Sequence, residues 1–411
     1  MVSTTVFLSR GHTDSVTTLA LSDRLLASGG DDGNIYFWSP SQSNFPLQFT
    51  PRQAPCSTVK FHPDNPEILY SAHGRYINTW DLRCLRAPVV VWNVNEDEVN
   101  SIDVLKDEAR LAAADDSGAV QVIDVNSGNI IRTLKKHDNI CSVAKFRPKR
   151  TWQLISGGLD CRVIVSDWKG TGRGVIIFEL DEIVSSNLFG DSHSPINYQP
   201  HELSNRGSSD SHASSSDYAE VEYDEFDETD EDVEDDDGPD SHRLLGDIHS
   251  TEQDQTEADT SDVSSDPNAE PLESTSVQVT VMPAPDTWRS GIPVNPPMVH
   301  SIACSASGDF VAAGLEKSTI ELFAGDGKRL AHLESLYGHR RAVSTLLFIG
   351  DDHLISGGND YSLFLWTLGS DTEGQRISHD AKVNAIEGKE LQKIFIADYS
   401  PVIRLLDMSL C

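Results

Sequence analysis

Nowhere in the 411 residues do eighteen apolar residues run together, and the opening MVSTTVFLSRGHTDSV has no basic start leading into a long apolar stretch. Neither a membrane-spanning helix nor secretion is therefore expected. Cysteine is scarce and scattered: Cys56, Cys84, Cys141, Cys161, Cys304 and Cys411 share no C-x-x-C spacing and no histidine pairing at zinc spacing. The expectation is reduced thiols in an intracellular protein, cytoplasmic or nuclear, with no disulfide framework, metal or cofactor. Positive charge is short as well, with 32 Lys and Arg against 65 Asp and Glu. A chain so acidic repels phosphates, which argues against direct nucleic-acid binding. Walker, H-E-x-x-H and nucleophile-elbow motifs are all missing, and the G-x-G-x-G of KGTGRG (169–174) lacks the strand and helix setting of a phosphate loop. It reads as a turn between strands.

The acidity is not spread evenly. Between Ser185 and Ser290 lie 28 acidic and 3 basic residues, which leaves −8 of the formal −33 for everything else. That segment, with SSDSHASSSDYAEVEYDEFDETDEDVEDDDGPD at its centre, is rich in Ser, Asp, Glu and Pro and poor in apolar residues. It cannot offset the entropy of ordering, so a disordered insertion is expected. Two roles fit it: a tolerated solubilising loop, or a polyanion that draws basic proteins such as histone-like partners. Thr229 and Ser214, each followed by acidic residues, suit an acidophilic kinase.

The rest is a repeat. LLASGGDDGNIYFW ends at Trp38, and the equivalent points fall at Trp80, Ile123, Ser166, Phe323, Trp366 and Leu406. Spacings are 42, 43 and 43 residues before the insertion and 43 and 40 after it, giving seven copies. Each copy holds short alternating apolar runs separated by Gly, Asp and Asn turns, which is the pattern of strands. One four-stranded sheet cannot bury both faces, so the copies must stack, and radial stacking with ring closure is the natural solution. The seventh copy has only three strands before the chain ends. We expect Thr4–Leu8 to supply the fourth by pairing with Val402–Leu406.

These residues resemble the WD-repeat family of β-propellers. Gly11-His12 and Gly338-His339 match the family's Gly-His, and Trp80-Asp81 its closing Trp-Asp. The resemblance implies a buried hydrogen-bonded set of His12, Ser28, Asp32 and Trp38, and a second of His339, Ser356, Asp360 and Trp366. A third copy keeps His137, Ser156 and Asp160 but has Ser166 in place of Trp, so its network should be weaker. The recurrence of Ser, His and Asp in several copies marks a structural network rather than a single catalytic triad. Asp31-Asp32 and Asp115-Asp116 sit at the repeat's turn position, where Asp serves local hydrogen bonds. The implied fold is an all-β, seven-bladed propeller: residues 1–184 form blades 1–4 with the closing strand, 185–290 the disordered insertion, and 291–411 blades 5–7.

A narrower resemblance runs through VNEDEVNSIDV, LAAADDSGAVQVIDV, IIRTLKKHDNICSVAKFRP and LYSAHGRYINTWDLR. It is to WD-repeat substrate receptors of cullin-4 ubiquitin ligases. In these a Trp-Asp-x-Arg element at the end of a third strand contacts the ligase's propeller adaptor, and here it maps onto Trp80, Asp81 and Arg83. Asp167 and Lys169 form an echo with lysine for arginine, while His73-Gly74 replaces the usual turn Asp and Thr79 a usual apolar residue. The implied protein is a non-enzymatic monomer within a complex, with a substrate protein of basic character. The alternative is a scaffold for basic nuclear proteins, working through the insertion without a ligase. Strand order puts Arg83 and the insertion on opposite faces.

Overall fold

The computed structural model describes residues 3–39, 46–50, 53–106, 108–170, 175–189, 279–281, 295–369 and 374–408. Seven antiparallel sheets make up a propeller, within one compact unit formed from residues 1–196 and 273–411. The first, innermost strands are Val16–Leu21, Cys56–Phe61, Val99–Leu105, Cys141–Phe146, Val299–Cys304, Val343–Ile349 and Val383–Gly388. Within each blade the chain then steps outward, strand by strand.

Burial follows this order. Second strands such as Leu26–Gly30, Gln153–Gly158 and Ile394–Asp398 are buried along their whole length, whereas the fourth strands Val90–Trp92 and Ile130–Lys135 are mostly exposed. Second strands are accordingly rich in Gly, Ala and Ser, because the next blade presses directly on them. A Cβ at Gly157 would stand 2.4 Å from Val299 Cγ1, and one at Gly357 2.6 Å from Val383 Cγ1. Both distances are well inside contact.

All seven first strands share a register shift after their first residue, a β-bulge that frees the second residue from the ladder. In six blades that freed side chain reaches the backbone of the next blade. Thr17 donates to the Cys56 carbonyl (2.6 Å), Ser57 to Val99 (2.5 Å), Asn100 to Cys141 (3.2 Å) and Ser142 to Val299 (2.6 Å). Ser344 donates to Val383 (2.5 Å), and Asn384 closes the circle onto Val16 (2.9 Å). Blade 5 is the exception: His300 turns to Glu316 instead (2.8 Å), and Ser301 makes a longer bond to the Val343 carbonyl (3.4 Å).

Ring closure takes the expected form. Ser3–Leu8 pairs antiparallel with Ile403–Asp407, from Ser3↔Asp407 to Leu8↔Ile403, and completes blade 7. Leu8, Val16 and Trp38 pack there against Phe395, Ala397 and Ile403.

The insertion does fall between blades 4 and 5, and its two ends differ from the expected plain loop. After the outer strand Val175–Glu179 the chain forms a helix, Leu180–Phe189, with Asp181 and Glu182 in its first turn, where the helix dipole favours acid. Further on, Val279–Val281 adds a fifth strand to blade 6, pairing with Gln375–Ile377. The expected disorder of 185–290, with Thr229 and Ser214, otherwise lies outside the described residues.

Removing residues 1–9 strips blade 7 of its fourth strand. The loss of its hydrogen bonds and of buried Leu8 should cost about 3 kcal/mol or more, a fall in Tm of roughly 6–12 °C by thermal denaturation. An unchanged Tm would show that this strand does not close the ring.

Candidate functional site: the blade networks, the channel and the third-strand arginine

A hydrogen-bonded relay recurs in several blades. In blade 1 Trp38 Nε1 donates to Ser28 Oγ (2.8 Å), Ser28 lies 2.8 Å from His12 Nε2, and His12 Nδ1 lies 3.1 Å from both Asp32 oxygens. Blade 6 repeats it: Trp366 to Ser356 (2.9 Å), Ser356 to His339 (2.8 Å), His339 to Asp360 (3.0 Å). Blade 4 joins His137 to Ser156 and Asp160 at 2.9 Å each, and Ser166 gives Ser156 no indole donor. In each, Nδ1–H pointing at the carboxylate lets Nε2 accept the serine proton, and in blades 1 and 6 the serine in turn accepts the tryptophan N–H. A glycine makes room for the ring. A Cβ at Gly30 would lie 2.7 Å from His12 Nδ1, and at Gly158 and Gly358 2.6 Å from His137 and His339 Nδ1.

Other blades fill the same space by different chemistry. In blade 2 the residue at that glycine position is His73, which supplies the imidazole from the strand itself. His73 Nδ1 donates to the Ala54 carbonyl (2.7 Å), and Nε2 accepts from Ser71 (3.0 Å), which takes the Trp80 N–H (2.8 Å). Burial pushes His73 below its ordinary value, against the backbone groups of Ala54 and Pro55, so it works as a neutral ring. Blades 3 and 7 carry an acid at this position, Asp115 and Asp398. Asp115 accepts from Asn95 (2.9 Å), and Asp398 pairs with His379 Nε2 (2.7 Å). Asn95 and His379 stand four residues before their first strands, as His12, His137 and His339 do. That spacing was the signal that could have found them.

The carboxylates are held low. Burial alone would raise Asp32, but bonds from His12 and the backbone N–H groups of Asn34 and Thr13 outweigh it and bring it to about 2. Asp360 reaches about 2 in the same way, burial being outweighed by His339, Ser362 and the Arg340 N–H. These groups are engaged in hydrogen bonds within their own blades.

The axial cavity, about 390 Å³ and lined by the first strands, is within the size range of small-ligand sites. Lys60, Asp103, Lys145 and Glu387 occupy the same position in blades 2, 3, 4 and 7. Lys145 stands 3.8 Å from Asp103, and burial raises Glu387. Two cations and two anions balance, so the lining offers no net charge. Among the described residues no group of three or more His, Cys, Asp or Glu is placed to hold a metal, and no helix is long and apolar enough to cross a membrane.

Arg83 follows the third strand of blade 2, Tyr76–Asp81. Its guanidinium forks onto Asp81, Nε to Oδ1 at 2.8 Å and Nη2 to Oδ2 at 2.5 Å, while its side chain stays 72% exposed. The arginine bonds and salt bridge bring Asp81 to about 2. Trp80, buried in its relay, anchors the element from beneath. Lys169 differs: it is drawn to Glu108 (2.6 Å) and lies over the Trp168 ring. Asp167 accepts the backbone N–H groups of Lys169 and Gly170. Arg83 lies where a third strand ends, and the chain leaves for the insertion where an antiparallel fourth strand ends. The two exits are therefore at opposite edges of the ring.

The geometry defines a seven-bladed β-propeller, and WD repeats lie within it. The model of the WD domain, G-beta repeat, matches residues 3–39, 128–167 and 330–367. Those three stretches run through blades 1, 4 and 6, the ones with the complete His, Ser and Asp set. Among individual proteins, the chain is similar to the WD repeat-containing protein 53 homolog of Dictyostelium discoideum, 29% identical over 167 residues, 38% of this chain and 45% of that one. It is also similar to Protein SLOW WALKER 1 of Arabidopsis thaliana, 30% identical over 120 residues, 29% of this chain and 22% of that one. The matches span less than half the length of either relative.

Two outcomes follow. Ser356→Ala orphans the Trp366 N–H and one histidine nitrogen and should cost about 2–4 kcal/mol, against roughly 1–2 for Ser156→Ala, which orphans no indole; urea midpoints compare them. Asp32 and Asp360 have depressed folded values, so their stabilisation is full above the ordinary 3.8 and lost as pH falls toward about 2. Each is worth on the order of 2 kcal/mol. In Asp32→Asn the stability curve should be flatter between pH 4 and 2, by about that much.

Proposed function

We propose that this propeller is a substrate receptor of a cullin-4 ubiquitin ligase, docking on the ligase's propeller adaptor through Arg83. WD repeats set in a propeller suggest a protein-interaction scaffold. The observation that carries the finer reading is the state of Arg83. It is exposed, yet its planar head is fixed by the two bonds to Asp81. A guanidinium held in this way has little rotamer freedom left to lose, and it still has N–H groups free for an acceptor on a partner. Lys169, committed to Glu108, offers less. The substrate would approach from the opposite edge, where the acidic insertion leaves and exposed Asp97 and Glu98 add negative charge. That charge favours a basic protein. The same charge supports the second reading, a scaffold for basic nuclear proteins with no ligase.

Titration of the purified chain against the cullin-4 adaptor separates them. Arg83→Ala should weaken binding by about 2 kcal/mol or more and Arg83→Lys by somewhat less, while Lys169→Ala should stay within about 0.5 kcal/mol. Adaptor binding indifferent to Arg83, or none, would leave only the scaffold. Deleting 185–290 should then abolish salt-sensitive binding of basic proteins.

A further inference from the structure

The insertion interrupts the chain at the seam between blades 4 and 5, and that seam is built unlike the others. Arg147, just past the first strand of blade 4, is the one buried Lys or Arg among the described residues. Its guanidinium meets no carboxylate. Instead Nε donates to the Gly308 carbonyl (2.6 Å), Nη1 to Gln153 Oε1 (2.7 Å) and the Gly327 carbonyl (3.2 Å), and Nη2 to the Gly325 carbonyl. Beside it Arg150 donates to the Ser307 and Asp326 carbonyls and forms an ion pair with Asp309 (2.6 Å), and Gln153 Nε2 reaches the Lys328 carbonyl (2.7 Å). Every acceptor except Gln153 lies beyond the insertion, in blade 5. Hydrogen bonds to a charged group are worth more than neutral ones even after exchange with water, so this set of bonds ties the two sides of the insertion together.

Apolar packing adds to this. The helix Leu180–Phe189 turns Leu180 and Val184 into the core of the seam, with Val143 and Val165 before the insertion and Val299 and Val311 after it. Phe178 and Phe323 meet with ring centroids 4.5 Å apart. The segment after the insertion is also gripped at its other end, where Ser3–Leu8 pairs with Ile403–Asp407 and Asn384 bonds to the Val16 carbonyl.

We infer that the blade 4–blade 5 seam is a self-sufficient interface whose partner is the chain's own second segment: 3–189 and 295–408 remain one closed ring after the covalent link between them is cut. Chain continuity through the insertion is not needed to hold the propeller together. The insertion can then be cleaved without releasing blades 5–7. This holds whichever reading of Arg83 is right.

The test uses the full chain with a site for a sequence-specific protease placed within 197–272, folded first and then cut until no intact chain remains on a denaturing gel. The expected result is one species at the uncut elution volume by size-exclusion chromatography, with near-ultraviolet circular dichroism unchanged. On dilution, the cut Arg147→Ala/Arg150→Ala protein should come apart at a concentration at least roughly tenfold higher than the cut parent, a difference of about 1.4 kcal/mol. If the uncut double variant does not fold, Arg150→Ala alone, at the edge of the seam, gives the comparison. Separation of the cut parent into two pieces at micromolar concentration would overturn the proposal. Equal dissociation of cut parent and cut variants would overturn the assignment of the seam to these arginines.

Discussion

Each blade must be tied to the next before any of them is stable, and the tie that recurs near the axis is a side-chain hydrogen bond from one first strand to the backbone of the next. In six of the seven inner strands the β-bulge after the first residue turns a hydroxyl or amide out of its own sheet and into the backbone of the neighbour. Around it lies a core of Val, Ile and Ala pressed against second strands small enough to admit them. A blade alone has two apolar faces and no partner for that donor, so the blades form together or not at all. Closure by Ser3–Leu8 follows from the same constraint. Without it blade 7 would end in an unpaired edge.

The relay of Trp, Ser, His and Asp acts further out, at the edge of each blade where the loop enters. Its chemistry varies while its space does not. A glycine opens the gap for a loop histidine in blades 1, 4 and 6; a strand histidine fills it in blade 2; a strand carboxylate takes it in blades 3 and 7. In blade 2 the variant relay sits directly beneath Asp81 and Arg83, so the blade whose turn departs most from the repeat still gives its exposed arginine a rigid base.

The seam at the insertion shows the same economy of partners. Arg147 exchanges water for main-chain carbonyls and one amide, and a charge with that many donors resists being pulled back into solvent. Arg147, past the end of a first strand, ties the seam at the same edge of the ring as Arg83, while the insertion leaves from the opposite edge, beside the packed Leu180 and Val184.

How much of this was legible beforehand differs by residue. The 42- and 43-residue spacing, the alternation of apolar residues and the Ser-x3-Asp-x5-Trp pattern fixed seven blades, the closing strand and the sets around His12, His137 and His339, because these depend on local periodicity and on residue types that recur. Asn95, His379 and Asp398 were present at regular spacing but differ in chemical type, so the pattern concealed them. His73 looked like a lost turn aspartate; only the folded blade shows its ring occupying the gap that a glycine leaves elsewhere. Arg147 gave no sign at all. Its carbonyl partners lie about 160 to 180 residues away across the insertion, and a contact that depends on closing the ring leaves no local trace. Sequence alone determined the repeat and therefore the ring, since each blade's faces demand neighbours. Tertiary structure alone decided which polar groups meet across the seams, since those bonds form between residues that only closure brings together.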